Sequence, residues 1–345
     1  MERDRHQAGA AGGMSAAETA PAAEHSLDPF LDLLRCPVSG ERLIAMPGAL
    51  VTADGQHRYR IDEAGIPLFA DGFLSEAAVV QRLHYNKIAA AYTANLGYPH
   101  TQEYMVYLDR AMLDAIGGGE LGTAAELCCG HGEALTLLGE RSVRYIGIDV
   151  SENMLRTVKA QHRHPDALFV QGDATRVPLA AESVDTVVML GGVHHVPDRA
   201  GLFAEIARIL KPGGRFLYRE PVSDFVAWRA TRAIVYRLSP TLDHATERPL
   251  LFRETVPLLE QAGLRSRHYR THGLFGFCLF MNSDVLFFNR LFRFVPGIRR
   301  IVRGSARLDA AILKIPEPAP TSSIVLPRTS SGWLRIQLLK QRPAI

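Results

Sequence analysis

Cysteine is scarce in this chain, which has 345 residues, four cysteines and no C-x-x-C pair. That pattern provides neither a disulfide framework nor a zinc site, and it is typical of a protein of the reducing cytoplasm. A formal net charge of +3 is too small to indicate nucleic-acid binding by itself. Long uncharged apolar runs are also missing, because the best candidate for a membrane span, 273–295, is interrupted by Asp284 and two arginines. We therefore expect a cytoplasmic globular protein.

The first residues of the chain lack the apolar core of a signal peptide. They are rich in alanine and glycine with scattered charges, so we expect 1–26 to form a disordered leader. The rest is long enough for one large domain and one small one. Its 47% hydrophobic and 22% charged residues are ordinary for a globular protein.

The most informative stretch runs from Ala124 to Ser151 and predicts a strand, a glycine turn, a short helix and a second strand. Gly130 and Gly132 allow a tight turn that passes close to a ligand. Asp149 follows the second strand, about 20 residues beyond the turn, where a carboxylate accepts hydrogen bonds from ribose hydroxyls. The third glycine of the dinucleotide-binding pattern is missing. An adenosine-containing ligand is predicted, and an NAD(P) enzyme is the weaker rival.

Residues 126–132, Glu-Leu-Cys-Cys-Gly-His-Gly, resemble motif I of the class I S-adenosylmethionine-dependent methyltransferases, in which glycine usually stands at the position of Cys128. Other motifs of this family follow in order over 80–220: Gly-Asp-Ala at 172–174, a strand with a Gly-Gly-Val-His-His loop, and a helix, Lys-Pro-Gly-Gly and a strand. In motif style the chain is most similar to the type 11, ubiquinone/menaquinone-like enzymes.

The resemblance implies an α/β fold with a seven-stranded Rossmann-like sheet, six strands parallel and the seventh antiparallel. We place strand six at 264–272 and strand seven at 333–340, within a methyltransferase domain over 75–345. The cap insertions, 221–249 and 274–330, then leave the sheet at the carboxyl ends of its strands, where ligands bind in such sheets. We expect them to form a helical cap over the substrate pocket.

The resemblance also implies S-adenosylmethionine as the cofactor and no metal. The family's donor-binding positions correspond here to Glu126, Cys128, Gly130, Gly132, Asp149, Val150, Met154, Asp173, Ala174 and Leu190. In this assignment Glu126 and the glycines surround the methionine part, Asp149 holds the ribose, and Asp173 binds the adenine amine.

His194 and His195 occupy the loop that faces the methyl group in this family, and histidine titrates in the range of a general base. Both are candidate catalytic residues; the alternative is that one caps the next helix and the other packs. Tyr85, Tyr92 and Glu220 are candidate substrate residues. Core packing of the tyrosines, and a salt bridge from Glu220 to Arg219 or Arg215, are the alternatives.

Residues 27–72 predict a small unit with short strands at 43–44, 50–52, 59–61 and 66–69. Its Leu-Leu-Arg-Cys-Pro start and Gly-Ile-Pro-Leu end resemble the zinc-ribbon-like activator of tRNA and protein methyltransferases. Of the four expected ligands only Cys36 remains, and a structural zinc needs four. We expect the unit to lack its metal.

Residues 286–307 contain six arginines and no acidic residue, interleaved with aromatic and aliphatic side chains. A basic amphipathic segment suggests peripheral contact with a membrane surface or a lipid-like substrate. A lid helix with solvated arginines is the alternative, and an anionic substrate also fits. No nucleic-acid-binding module is recognisable.

Taken together, these motifs predict S-adenosylmethionine-dependent methyl transfer to a small-molecule or lipid-like acceptor by in-line displacement. The alternative is a scaffold that binds the donor without turnover and docks a partner protein or a membrane.

Overall fold

The computed structural model describes residues 27–162, 164–222, 250–272, 275–281, 289–312 and 334–341. A small antiparallel sheet contains three strands: β1 (Leu43–Met46), β2 (Ala49–Thr52) and β3 (Arg58–Arg60). A larger sheet contains seven: β4 (Gly122–Leu127), β5 (Ser142–Asp149), β6 (Ala167–Gln171), β7 (Val184–Leu190), β8 (Leu210–Pro221), β9 (Leu264–His272) and β10 (Leu334–Gln341). The predicted leader and most of the first insertion lie outside the described residues.

The strand order of the large sheet is β6-β5-β4-β7-β8-β10-β9. Strands β4 to β8 pair in parallel, whereas β10 pairs antiparallel with both β8 and β9. Strand β9 therefore runs in the direction of the other five, and β10 alone is reversed. This confirms the predicted α/β topology, with strand six at its predicted bounds and strand seven shifted by one residue.

The described helices are α1 (Glu76–Leu96), α2 (Pro99–Ile116), α3 (Glu133–Leu138), α4 (Glu152–Gln161), α5 (Arg199–Ile209), α6 (Phe252–Gln261), α7 (Phe275–Phe280) and α8 (Ile298–Ile312). Three of them begin at a side-chain cap, because the oxygen of Ser75, Ser151 or Asp198 accepts a hydrogen bond from the first turn of its helix. Among the described residues, no helix is long and apolar enough to cross a membrane.

The central strands are almost wholly buried because helices cover both faces of the sheet. Alternate residues of β4 enter separate cores: Ala125 and Leu127 face one, and Ala124 faces the other. A third cluster forms where α2 packs against α7 and α8, and its members are Tyr104, Leu108, Phe280, Ile298, Val302 and Ala306. The second predicted insertion thus contains a helical layer that rests on α2.

The small N-terminal sheet shares its core with the large sheet. Phe30 and Leu34 belong to the same buried cluster as Leu168 and Leu179. A backbone hydrogen bond also joins the two sheets at this contact, the seam, since Arg35 N donates to Pro178 O at 3.0 Å. These contacts tie the N-terminal unit to the sheet next to β6.

The predicted strand at 66–69 is wrong. Pro67 forms only an isolated bridge with Ile61, Leu68 bridges to Gln171 of the large sheet, and a 3-10 helix spans Phe69–Asp71. The physical reason lies in Pro67, which has no backbone N–H and cannot donate to a ladder.

Cys36 lies buried with its Sγ 2.9 Å from the hydroxyl of Tyr59. Among the described residues, no group of three or more His, Cys, Asp or Glu could hold a metal ion.

The shared core predicts that the N-terminal unit and the large sheet unfold together. Leu34 is fully buried at the seam, so Leu34→Ala should lower the free energy of unfolding by about 2–5 kcal/mol. The matched control is Leu83→Ala, whose side chain is 68% exposed and whose change should stay within about 0.5 kcal/mol. Urea unfolding followed by circular dichroism measures both. A separate early transition, or equal effects of the two variants, would contradict the shared core.

Candidate functional site

The turn after β4 forms the floor of the site. Cys128, Gly130 and Gly132 all have left-handed backbone, with φ of 53°, 47° and 69°. A Cβ at Gly132 would lie 2.8 Å from Cγ2 of Val158, so this position requires glycine for space as well as conformation. A Cβ at Gly130 would meet no atom within 4 Å. The backbone at Gly130 therefore faces open space that a ligand can approach.

Cys128 occupies a left-handed conformation that costs a side-chain-bearing residue about 1–2 kcal/mol. Its side chain lies against the loop after β7, because a Cβ at Gly192 would lie 2.7 Å from Cys128 Cβ. Gly192 itself has an ordinary φ of −101°. Position 192 therefore requires glycine because any Cβ there would clash with its neighbours, and Cys128 is one of these neighbours.

Four carboxylates act on the Cys128 thiol. Burial raises its pKa well above the usual value, and the charges of Asp149, Glu220, Asp173 and Glu126 raise it further. The thiol is therefore protonated, and the loop at Cys128 lies within the electrostatic influence of four acidic side chains.

Glu126 supports the turn from the end of β4. Its carboxylate accepts from the Ala134 N–H, at 3.2 and 3.1 Å for the two oxygens, and from the Tyr145 hydroxyl. Burial raises the pKa of Glu126 to about 8. The structure thus places this predicted donor-binding residue at the N-terminal turn of α3, where it satisfies a helix N–H.

Asp149 links the ends of β4 and β5. Its two oxygens accept from Gly130 N at 2.9 Å and from Ser151 N at 2.8 Å. Burial raises the pKa of Asp149, although the backbone donors favour the ionised form. Val150 and Met154 follow on the same segment, with Met154 buried in α4. The predicted ribose-binding carboxylate therefore lies directly beside the glycine turn.

Asp173 is engaged on all sides by the protein. One oxygen accepts from Ser75 N at 2.9 Å and Ser75 Oγ at 2.6 Å, and the other accepts from Thr175 N at 2.8 Å and Oγ1 at 2.7 Å. A carboxylate has roughly four acceptor positions, so these four donors occupy it. Asp173 would bind an adenine amine only by exchanging one of them. The neighbouring Ala174 is buried.

Helix α1 lies across the carboxyl ends of four strands. It is joined to the segment after each one by a side-chain hydrogen bond: Thr93 to His131 after β4 at 3.0 Å, Asn86 to Ser151 after β5 at 2.6 Å, Ser75 to Asp173 after β6, and Tyr85 to His195 after β7 at 2.8 Å. Tyr85 was a predicted substrate residue, whereas Ser75, Asn86, Thr93 and His131 were not among the predicted site residues. Only Ser75 carried a local signal, as a helix cap. The side chain of Tyr92 lies outside the described part.

The two predicted catalytic histidines are adjacent in space. His194 Nδ1 lies 2.8 Å from a Glu220 carboxylate oxygen, and the rings of His194 and His195 have centroids 3.9 Å apart. The other Glu220 oxygen accepts from Val193 N at 2.7 Å. Burial raises the pKa of Glu220 to about 8. Tyr85, His195, His194 and Glu220 thus form one polar cluster beside Leu190, at the end of β7.

Two alternatives are ruled out by this geometry. Glu220 does not pair with Arg219, because neighbouring strand residues point to opposite faces; Arg219 instead pairs with Asp109 at 2.7 Å and Glu133 at 2.9 Å. Neither histidine caps α5, whose cap is Asp198.

A family model described as a methyltransferase domain matches residues 125–218, from the glycine turn to β8. Residues 125–218 thus form a methyltransferase domain. This agrees with the predicted resemblance to S-adenosylmethionine-dependent methyltransferases.

Curated relatives match part of the chain. The phthiotriol/phenolphthiotriol dimycocerosates methyltransferase of Mycobacterium tuberculosis is 32% identical over 139 residues, which is 39% of this chain and 50% of the relative. The fatty-acid O-methyltransferase of Mycolicibacterium smegmatis is 32% identical over 112 residues, 31% of this chain and 41% of the relative. The chain spans half the length of the curated relatives it matches, or less.

Among solved structures, phosphoethanolamine N-methyltransferase 2 of Haemonchus contortus, in complex with S-adenosylmethionine, superposes with a TM-score of 0.52 at 14% identity. The match covers 79% of this chain and 61% of that one, and it supports the fold.

The contact between Cys128 and Gly192 predicts a coupled pair. Gly192→Ala should cost about 1–3 kcal/mol of stability through overpacking, and most of this cost should disappear when Cys128→Gly removes the opposing side chain. Urea unfolding of the wild type, both single variants and the double variant gives the coupling energy. An equal cost of Gly192→Ala in both backgrounds would show that another neighbour sets the steric limit.

Proposed function

We propose that this domain transfers a methyl group from S-adenosylmethionine to a hydroxyl oxygen of a lipid-like acceptor, with His194 as general base. The observation that carries the proposal is the open glycine turn, held by Asp149, at the same carboxyl edge of the sheet as the pair of His194 and Glu220. This is the edge at which open α/β sheets bind ligands.

The residues at this edge fit the donor. A sulfonium is a cation, and its positive charge would favour the ionised forms of Glu126 and Glu220, which act on the loop at Cys128 together with Asp149 and Asp173. Asp149 accepts from the ribose hydroxyls, and the open backbone at Gly130 receives the methionine part. When bound, the donor supplies an electrophilic methyl group for in-line displacement.

Helix α1 positions the reactants and excludes water. Its contacts with four strand ends hold it over the donor edge, and orientation together with exclusion of water supplies much of the acceleration in a displacement of this kind. Tyr85 brings the His195 ring into this enclosure. Both side chains contact the acceptor.

His194 takes the proton of the acceptor hydroxyl. Glu220 holds Nδ1 of the ring, which fixes the orientation of the imidazole and stabilises the imidazolium that forms. Nε2 is then the ring atom that accepts the proton of the acceptor hydroxyl. A base of this kind matches an oxygen acceptor, and one relative is named as an O-methyltransferase of fatty acids. The lipid-like acceptor class also follows the names of these relatives.

The test uses radiolabelled S-adenosylmethionine and three probes: a long-chain fatty acid, a long-chain diol and a hydroxyquinone. With an accepted probe, His194→Ala should lower kcat by about 10²–10⁴ while the affinity for S-adenosylhomocysteine stays unchanged. His57→Ala, in the N-terminal unit, is the control and should retain full activity. Donor binding without methylation of any probe would favour the inactive scaffold.

Glu220→Gln tests whether Glu220 acts through His194. Because the pKa of Glu220 is raised to about 8, its carboxyl is neutral below that pH and donates a hydrogen bond to Nδ1 of His194. The neutral ring then carries its own proton on Nε2, so Nε2 cannot accept the proton of the acceptor hydroxyl. Wild-type kcat/KM, whose pH dependence reports the pKa values of the free enzyme, should therefore rise with pH through about 8. In Glu220→Gln kcat should be lower and this rise absent, with KM nearly constant. An unchanged pH profile would remove Glu220 from this role.

A further inference from the structure

The outer surface of the second insertion exposes large apolar side chains. We call the 3-10 helix Asn289–Phe294 together with Val295 the cap tip. Within it Leu291, Phe294 and Val295 are exposed, and Phe294 retains 69% of its accessible surface. Ile301 and Leu308 are exposed on the neighbouring α8. Single exposed apolar residues are ordinary, but five within 18 consecutive positions of sequence mark an interaction surface.

The periodicity of α8 separates an inner face from an outer face. Ile298, Val302 and Ala306 recur every four residues and pack into the cluster with α2. Ile301 and Leu308 are seven residues apart and share one side of the helix, with Arg300 and Arg307 in the row beside them. The outer face of α8 thus combines an apolar row with a basic row.

The charge of this surface has one sign. Within 289–312 there are six arginines and one acidic residue, Asp309, which is fully buried and accepts from Gly276 N at 2.8 Å. Arg299 and Arg303 lie 3.4 Å from Glu103 of α2. Arg290, Arg300 and Arg307 are exposed. The exposed apolar residues are therefore surrounded by positive charge.

We propose that the cap tip and the outer face of α8 dock on an anionic membrane surface. Arginine side chains reach the headgroups while apolar side chains enter the boundary with the acyl chains, which is how basic amphipathic segments bind such surfaces. A second copy of the chain fits less well, because a two-fold contact would bring arginines against arginines.

The position of this surface relative to the strands adds to the argument. Strand β9 runs in the direction of β4 to β8, so its end at His272 lies at the same edge as Asp149 and Glu220. Helices α7 and α8 follow β9 in the chain. When α8 docks on a membrane, the membrane surface therefore lies against the insertion that follows β9, and this insertion begins at the edge of the sheet that carries Asp149 and Glu220. The docking stands without the proposed methyl transfer, and its test measures binding alone.

The test is flotation of the full chain with two kinds of vesicle, phosphatidylcholine alone and equal parts phosphatidylcholine and phosphatidylglycerol. The wild type should float with the anionic vesicles only, and added salt should release it. Arg300→Glu with Arg307→Glu should weaken binding at least about 30-fold, since each basic residue near the surface contributes about fivefold. Arg42→Glu with Arg58→Glu makes the same change in net charge on the N-terminal unit and should leave binding within about twofold.

Phe294→Ser tests the apolar part without a change in charge and should weaken binding about tenfold. Circular dichroism confirms that each variant is folded. The proposal is overturned by absent binding to anionic vesicles, by equal binding to both kinds, or by equal losses in the two arginine double variants. Self-association that Phe294→Ser removes, without any vesicle binding, would assign the surface to a second copy instead.

Discussion

The hydrogen bond from Gly130 N to Asp149 is the interaction on which the site depends. It joins the end of β4 to the end of β5 and fixes a turn that passes through left-handed backbone at Cys128, Gly130 and Gly132. A Cβ at Gly130 would meet no atom within 4 Å, so the backbone there is open to a ligand. Burying a carboxylate is costly without partners, and here backbone N–H groups supply them.

Helix α1 lies over the carboxyl edge of the sheet and is held there by hydrogen bonds to the loops that follow the strands. Each segment that follows β4, β5, β6 or β7 holds one of its side chains, so the helix is positioned by the loops that form the donor site. The contact between Ser75 and Asp173 has the most direct consequence for ligand binding. It occupies the carboxylate that the family resemblance assigns to adenine, and adenine recognition there requires a change at the start of α1.

The sequence predicted the fold well because its signals are local. A few adjacent residues determine each of these signals: the glycine turn, the Lys-Pro-Gly-Gly turn and the apolar strands. Such local signals are enough to predict the succession of strands in a parallel sheet. The partners of the site residues are not local: Ser75 and Asp173 are 98 residues apart, and Tyr85 and His195 are 110 apart. Sequence proximity suggested a salt bridge between Glu220 and Arg219 as an alternative role for Glu220, but Arg219 pairs with Asp109 instead. The one strand predicted wrongly, at 66–69, contains Pro67, which interrupts a ladder.

Calorimetric titration with S-adenosylhomocysteine tests the account most directly. Wild-type protein, Asp149→Asn and the control Asp166→Asn, which changes an exposed aspartate, should be compared, with NADH as a second ligand. The account predicts that the wild type and Asp166→Asn bind S-adenosylhomocysteine alike, that Asp149→Asn binds it at least about tenfold more weakly, and that NADH does not bind. Absence of binding to folded wild-type protein, or equal affinity in Asp149→Asn, would contradict the assignment of this edge to the methyl donor.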